Sequence, residues 1–339
     1  MRQPKIPSLS PPPLASNPFG GTPLNRILVS LTALLVLQAA VFGRTLTKVT
    51  VDRNPDFVAV NPTTNKIYSS NSSAGTVSVI DGATNTRSAT ITVGGFPQGI
   101  AVNSATNQIY VALFSGTAST VSVIDGNTNT VVTSIPVSGA EYVAVNEATN
   151  RIYVSDTDNT VRAIDGASNG VIATISFSSV LGELSIDAAR NLIYVSVVGA
   201  PPTIGVIDGT TNSIVNTFTV SQAQFLPGLA VDSSLNQIYV SDSLKMKLFV
   251  IDGTSGSVTA TIALTGARNP KYVAVGTGHQ VLVADANVPG GIFFINGNSK
   301  TLTGSLGLEF TPWGLAVNSV TREIYAALSA GTFVAAIAP

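Results

Sequence analysis

The chain has 339 residues, with 17 Lys and Arg against 18 Asp and Glu, a formal net charge of −1, and no cysteine. Near-neutrality removes the electrostatic footprint that nucleic-acid binding requires, and the lack of cysteine excludes disulfides, thiolate metal sites and a cysteine nucleophile. Charged residues make up 10% of the chain, well below the roughly 25% of a typical soluble protein, so a polar but largely uncharged surface is expected.

The first predicted segment, residues 1–26, is rich in proline, carries Arg2, Lys5 and Arg26 with no acid, and reads as disordered. The second, residues 27–43, is an apolar run broken only by Ser30, Thr32 and Gln38. Its length lies at the lower limit for spanning a bilayer, and a basic flank before an apolar stretch is the export-signal pattern. Val41 and Gly43 suit positions −3 and −1 of a cut after Gly43. The leader is long for a signal peptide, so an uncleaved anchor with its basic end in the cytoplasm is the second reading, and only that form would hold the chain at a membrane. A buried helix is the third and weakest, because nothing else in the chain reads as helical. The remainder is expected to be exported: periplasmic, extracellular or at the cell surface.

Residues 44–339 are expected to form one domain, because one phrase, roughly P-x-G-I-A-V-N-x-x-T-N-x-I-Y-V followed by V-x-V-I-D-G-x-T-N, returns seven times. Tyr68, Tyr110, Tyr153, Tyr194, Tyr239 and Tyr325, with Leu282 in the remaining slot, recur at intervals of 41 to 45 residues. Asp81, Asp125, Asp165, Asp208 and Asp252 recur in phase, with Asn296 as a substitute. A fixed period of about 40 to 45 residues is that of propeller blades. Within a unit the apolar period is two, which is strand. In the second unit strands are predicted over 99–103, 108–112, 120–124 and 130–137, with turns at 104–107 and 125–129. Four antiparallel strands make a blade, and seven blades a ring. The last unit ends after a third strand, whereas Leu46 to Val51 resembles a fourth strand. The fold expected is therefore an all-β, seven-bladed propeller of four-stranded antiparallel blades, closed by an N-terminal strand that pairs with Thr332 to Ile337 and completes the last blade.

The blocks Ile67-Tyr68, Ile109-Tyr110-Val111 and Ile152-Tyr153-Val154-Ser155-Asp156, each followed by a phrase such as Val77 to Gly82, Val121 to Gly126 or Val206 to Gly209, resemble the YVTN-type β-propeller repeat. The resemblance covers residues 44–339, with Leu282 and Asn296 as departures in the sixth unit. It implies a seven-bladed ring similar to exported and surface-layer binding proteins. That shape is also similar to lactonases and quinoprotein-type enzymes, so the resemblance implies no particular reaction.

The aspartates of the Ile-Asp-Gly phrase suggest calcium by type, but each turn offers one carboxylate; an aspartate bonding its own turn, followed by a glycine free to take positive φ, accounts for the phrase. Asp156 and Asp158 lie closer to a metal loop, without its glycine and final glutamate. His279 is the only histidine and occupies a turn, so no Ser-His-Asp arrangement and no multi-histidine metal site is expected.

The more informative place is one mouth of the ring, where the loops leading into the first strands meet those between second and third strands. After the leading proline or its equivalent the units carry Asp56, Gln98, Glu141, Gly182, Pro227, Lys271 and Trp313, followed by Phe57, Gly99, Tyr142, Glu183, Gly228, Tyr272 and Gly314. Asp56, Gln98, Glu141, Glu183, Lys271 and Trp313 are the candidate ligand-binding residues, with Asn71, Asp156, Asp242 and Asp285 as neighbouring acceptors. Which of two successive residues faces the axis depends on strand register. The leading expectation is a non-catalytic module with no cofactor, binding a protein or a cell-envelope component. The alternatives are a lactonase-like hydrolase using Glu141, Glu183 and Lys271 with a divalent metal, a surface-array element associating through its side faces, and, last, a quinone-dependent oxidoreductase.

Overall fold

Alternating apolar residues punctuated by Asn, Asp and Gly fold each repeat into four antiparallel strands, and seven such sheets form the molecule. The computed structural model describes residues 44–116 and 118–339. The predicted segments 1–26 and 27–43, with the cut after Gly43, lie outside the described residues. No helix among the described residues is long and apolar enough to cross a membrane.

Blade two has strands Phe96–Asn103, Gln108–Phe114, Thr120–Asp125 and Thr130–Pro136, close to the predicted bounds. Blade seven is composite: Leu46–Thr50 pairs with Phe333–Ile337 from Leu46↔Ile337 to Thr50↔Phe333, and the Val51 amide extends the ladder to the Thr332 carbonyl at 2.9 Å. The ring is closed as expected. The first strands of successive blades contact one another and surround the axis, while the fourth strands form the rim.

The core lies between blades. Tyr110, Val121 and Val123 of blade two pack with Ile152 and Val154 of blade three, and the same arrangement recurs around the ring. The six repeat tyrosines have no exposed surface. Some of their hydroxyls bond into the next blade, as Tyr153 donates to Asn212 Oδ1 at 3.3 Å and Tyr325 to Asn85 Oδ1 at 3.2 Å, whereas Tyr110 and Tyr239 donate to Gln108 and Gln237 of their own strands. In blade six Leu282 fills the slot against Ile324 and Ala326 of blade seven without a hydroxyl, and the sheet is intact.

The lower face is made of the two hairpin turns of every blade. In the first turn, Asn65, Asn107, Asn150, Asn191 and Asn236 take φ of 50 to 54°, a left-handed conformation that Asn tolerates better than most residues. Their side chains tie the blades together, since Asn61 donates to Asn107, Asn103 to Asn150 and Asn146 to Asn191 at 2.8 Å each, and Asn318 to Asn65 at 2.7 Å. In the second turn the Ile-Asp-Gly aspartate accepts its own turn amides, as Asp208 does from Thr210 at 2.6 Å and Thr211 at 3.1 Å.

The role of the glycine differs from the expectation. Positive φ in this turn falls on Asn85, Asn129, Asn169 and Asn212, three residues after the glycine position. The glycine is needed for close approach instead. At Gly82, Gly126, Gly166 and Gly209 the amide donates to the carbonyl of the left-handed Asn at 2.8 to 2.9 Å, and a Cβ would lie 2.3 to 2.5 Å from that residue's Oδ1.

Candidate functional site at the upper mouth

A leading proline, or Ala140 and Leu181 in its place, stands at or near the start of the first strand in six blades, and just after it the pairing with the second strand slips. Register shifts fall between Pro55 and Phe57, Pro97 and Ile100, Ala140 and Tyr142, Leu181 and Leu184, Pro270 and Val273, and Pro312 and Leu315. All six candidate residues sit in these bulges. A bulge leaves its extra residue unpaired and re-aims its side chain, which settles the question that period-two alternation left open.

Four aromatic rings close the axis. Phe57 of blade one stands edge-on to Tyr142 of blade three at 5.8 Å and to Tyr272 of blade six at 5.2 Å, and Tyr272 meets Trp313 of blade seven at 5.8 Å. Contacts between blades that are not neighbours cross the centre of the ring. The equivalent positions in blades two, five and seven are glycines. A Cβ at Gly99 would lie 2.7 Å from the Glu141 carbonyl oxygen, at Gly228 1.7 Å from that of Lys271, and at Gly314 2.6 Å from the Phe57 Cα. Bulky and glycine positions therefore alternate because the first strands approach too closely for side chains on all of them, and part of the variety at the mouth is packing. Phe57, Tyr142 and Tyr272 are absent from the candidate set, although a column reading Phe, Gly, Tyr, Glu, Gly, Tyr, Gly carries their signal.

The polar candidates do different things. Lys271 lies with Nζ 5.4 Å from the Trp313 ring centre, a cation–π contact at the mouth. Glu183 crosses to blade five, where its Oε2 accepts the Leu229 amide at 3.0 Å. Leu229 stands opposite Val240, next to the hydrogen-bonded pair Gly228–Ser241, so its amide points out of the ladder and Glu183 supplies the acceptor it needs. The carboxyl retains partial exposure to the channel but is crowded by protein, and this desolvation pushes it up to about 8 against the hydrogen bonds from the Leu229 and Val273 amides. Burial also raises Glu141, on the same mouth, and Asp56, which turns toward blade seven and accepts Ser329 Oγ at 3.2 Å. Desolvation, with Glu141 and Glu183 nearby, keeps Tyr142 neutral, and desolvation with Tyr142, Glu183 and Asp56 does the same for Tyr272. Gln98 makes no side-chain hydrogen bond among the described residues. Asp56, Glu141, Glu183, Lys271 and Trp313 thus converge on the aromatic plug, and Gln98 stands apart on blade two.

The three neighbouring aspartates are engaged locally, whereas Asn71 is engaged through its amide nitrogen alone and its buried Oδ1 has no partner among the described residues. Asn71 donates to Thr76 and Ser78; Asp156 accepts from Thr160 and Arg162; Asp242 accepts the Leu244 and Lys245 amides; Asp285 accepts the Arg268 and Asn269 amides. Among the described residues no three His, Asp or Glu side chains form a group able to hold a metal ion. His279 belongs to the lower face: it takes the left-handed turn position with φ 61° and bonds Asp232 Oδ2 through Nδ1 at 2.7 Å, replacing an Asn–Asn link between blades. Burial works against Asp232 ionising, but Ser234, His279 and the Leu235 amide hold it below the usual range.

No protein-family model matches the chain, and no curated protein matches it at a significant level.

Proposed function

We propose that this chain is an exported, non-catalytic β-propeller that binds a protein or a cell-envelope component through its upper face. The observation that carries this reading is where apolar side chains reach water. Phe96, Phe114, Val180, Leu244, Met246 and Val288 are exposed on the strand ends and loops of the upper face, while Val320 is the one large hydrophobic exposed on the turns of the lower face among the described residues. Apolar tips around a polar, aromatic centre have the composition of a recognition surface. The Ile-Tyr-Val and Ile-Asp-Gly phrases support placing the chain with YVTN-type propellers, and the apolar run before Arg44 supports export. The separate tasks of Glu183 and Asp56 give a metal-dependent hydrolase no favouring observation.

The test is co-sedimentation of the full-length chain with isolated cell envelopes, intact or protease-treated, against a variant carrying Phe96→Ser, Phe114→Ser and Leu244→Ser. Saturable binding weakened at least ten-fold in the variant is expected. Loss of binding on proteolysis assigns a protein partner, and retention assigns a glycan or lipid component. Equal binding by the variant, or turnover of lactones by the wild type, refutes the reading.

A further inference from the structure

The outer strands of six blades share an irregularity near their start, where one residue is skipped in pairing with the third strand: Ser88, Val132, Ile172, Val215, Thr259 and Thr303. In blades one, five and six that residue is a hydroxyl donor. Ser88 bonds the Val79 carbonyl at 3.2 Å, Thr259 that of Val250 at 3.2 Å, and Thr303 that of Phe294 at 2.9 Å. In blades two, three and four it is Val132, Ile172 or Val215, exposed by 52, 46 and 54%. Their neighbours Val131, Val171 and Ile214 are exposed by 38, 41 and 40%, whereas Val258 and Leu302 in blades five and six are partly buried.

The chain is its own control here. One backbone bulge accepts Ser or Thr with a hydrogen bond in three blades, so nothing in the fold requires Val or Ile in the other three. For an isolated ring the apolar choice forgoes that bond and wets hydrocarbon, both unfavourable. The three apolar blades are consecutive, and their outer strands Thr130–Pro136, Gly170–Ser176 and Ser213–Thr219 carry no charge, as in blades five and six, whereas the outer strands of blades one and seven carry Arg87 and Lys48.

We propose that the rim of blades two to four is a self-association surface, occupied by the same rim of a second copy. This surface is independent of the upper face and does not rest on the reading above. Each outer strand is the free edge of its sheet, with a row of open N–H and C=O groups that an antiparallel copy complements. An uncharged apolar surface matches itself across a two-fold axis, where both sides of the contact are the same patch. Three strands of seven residues, less the buried Ile135, Ile175 and Phe218, supply 18 residues, just under the about 20 to 30 that each side of a standard interface uses. The six exposed β-branched side chains present roughly 400 Å² of surface in total, divided over three neighbouring blade edges.

Sedimentation of the full-length chain over a wide concentration range tests this, with Val132→Thr, Ile172→Thr and Val215→Thr combined. These substitutions copy what the chain carries in blades five and six, so the variant is expected to fold with a urea midpoint no lower than wild type. Concentration-dependent dimers of the wild type, weakened at least ten-fold in the variant and unchanged by Phe96→Ser, are the expected result. A monomer at every concentration, or equal association of the variant, overturns the proposal. Association that persists in the variant and vanishes in mild detergent belongs to the apolar run of residues 27–43 and overturns it too.

Discussion

Replacing Glu183 by Gln removes one proton-binding group from the axis while leaving a carbonyl oxygen for the Leu229 amide. Burial raises the Glu183 carboxyl from an ordinary 4.5 to about 8. Between those values the folded chain holds a proton that the unfolded chain releases, so wild-type stability falls as pH rises through that window and is level outside it. A full shift of this size is worth on the order of 5 kcal/mol, at about 1.4 kcal/mol per unit. Partial access to the channel reduces this, and roughly 2 to 3 kcal/mol is expected after discounting for solvent screening. The assay is urea denaturation of the full-length chain, wild type and Glu183→Gln, at pH 5 and pH 9. The two should differ little at pH 5, and the variant should exceed the wild type at pH 9 by that amount. Asp56 and Glu141 titrate in both proteins and cancel in the difference. Parallel stability profiles for the two proteins would refute a desolvated Glu183.

The closing strand is tested by Val49→Pro: Val49 is 2% exposed and pairs with Val334, so losing the ladder amide should lower stability by about 3 kcal/mol or more in urea denaturation, against little change for the exposed Thr50→Ala. Gly126→Ala should cost about 1 to 3 kcal/mol by the same assay although its φ is not positive, because the new Cβ would meet Asn107 Oδ1 at 2.5 Å. Calcium added after chelation should leave the urea midpoint unmoved, since the turn carboxylates already accept their own amides as Asp252 does from Thr254 and Ser255 at 3.1 and 2.8 Å; a rise in midpoint would show a cation bound to the folded state.

Much of the ring was legible because its determinants are local and repeated. The tyrosine period, the Asn and Asp turns and the Thr-Val pattern of residues 46–51 each state a strand or a turn within a few residues, and the closing register follows from the strand missing at the other end. The mouth was legible only as a set of positions. Which side chain faces the axis is decided by a bulge, which has no sequence period, and by the neighbouring blade some forty residues away. Gly228 makes the point: its need to be glycine comes from the Lys271 carbonyl of the next repeat, not from its own φ. Glu183 is the same kind of case, since its partner is an amide of blade five that points out of its own ladder.

A repeat protein separates constraint from choice, because every position has equivalents in the same chain that meet the same backbone. On the lower face most equivalents agree, and in one blade a replacement does the same work: the Asp232–His279 bond stands where Asn–Asn bonds stand elsewhere. Where a turn side chain there holds its own turn or the next blade, a change that favoured a ligand would loosen the ring. The rim is not bound in this way, because it has no further strand to satisfy, and the upper loops are bound at particular points, as where Asn54 Oδ1 accepts the Ala330 amide at 3.1 Å. Apart from Val320 on a lower turn, the exposed hydrophobics without a packing reason include Phe96 and Phe114 above, and Val132, Ile172 and Val215 at the edge. Binding through the upper loops and assembly through the rim are therefore what this ring can change without coming apart.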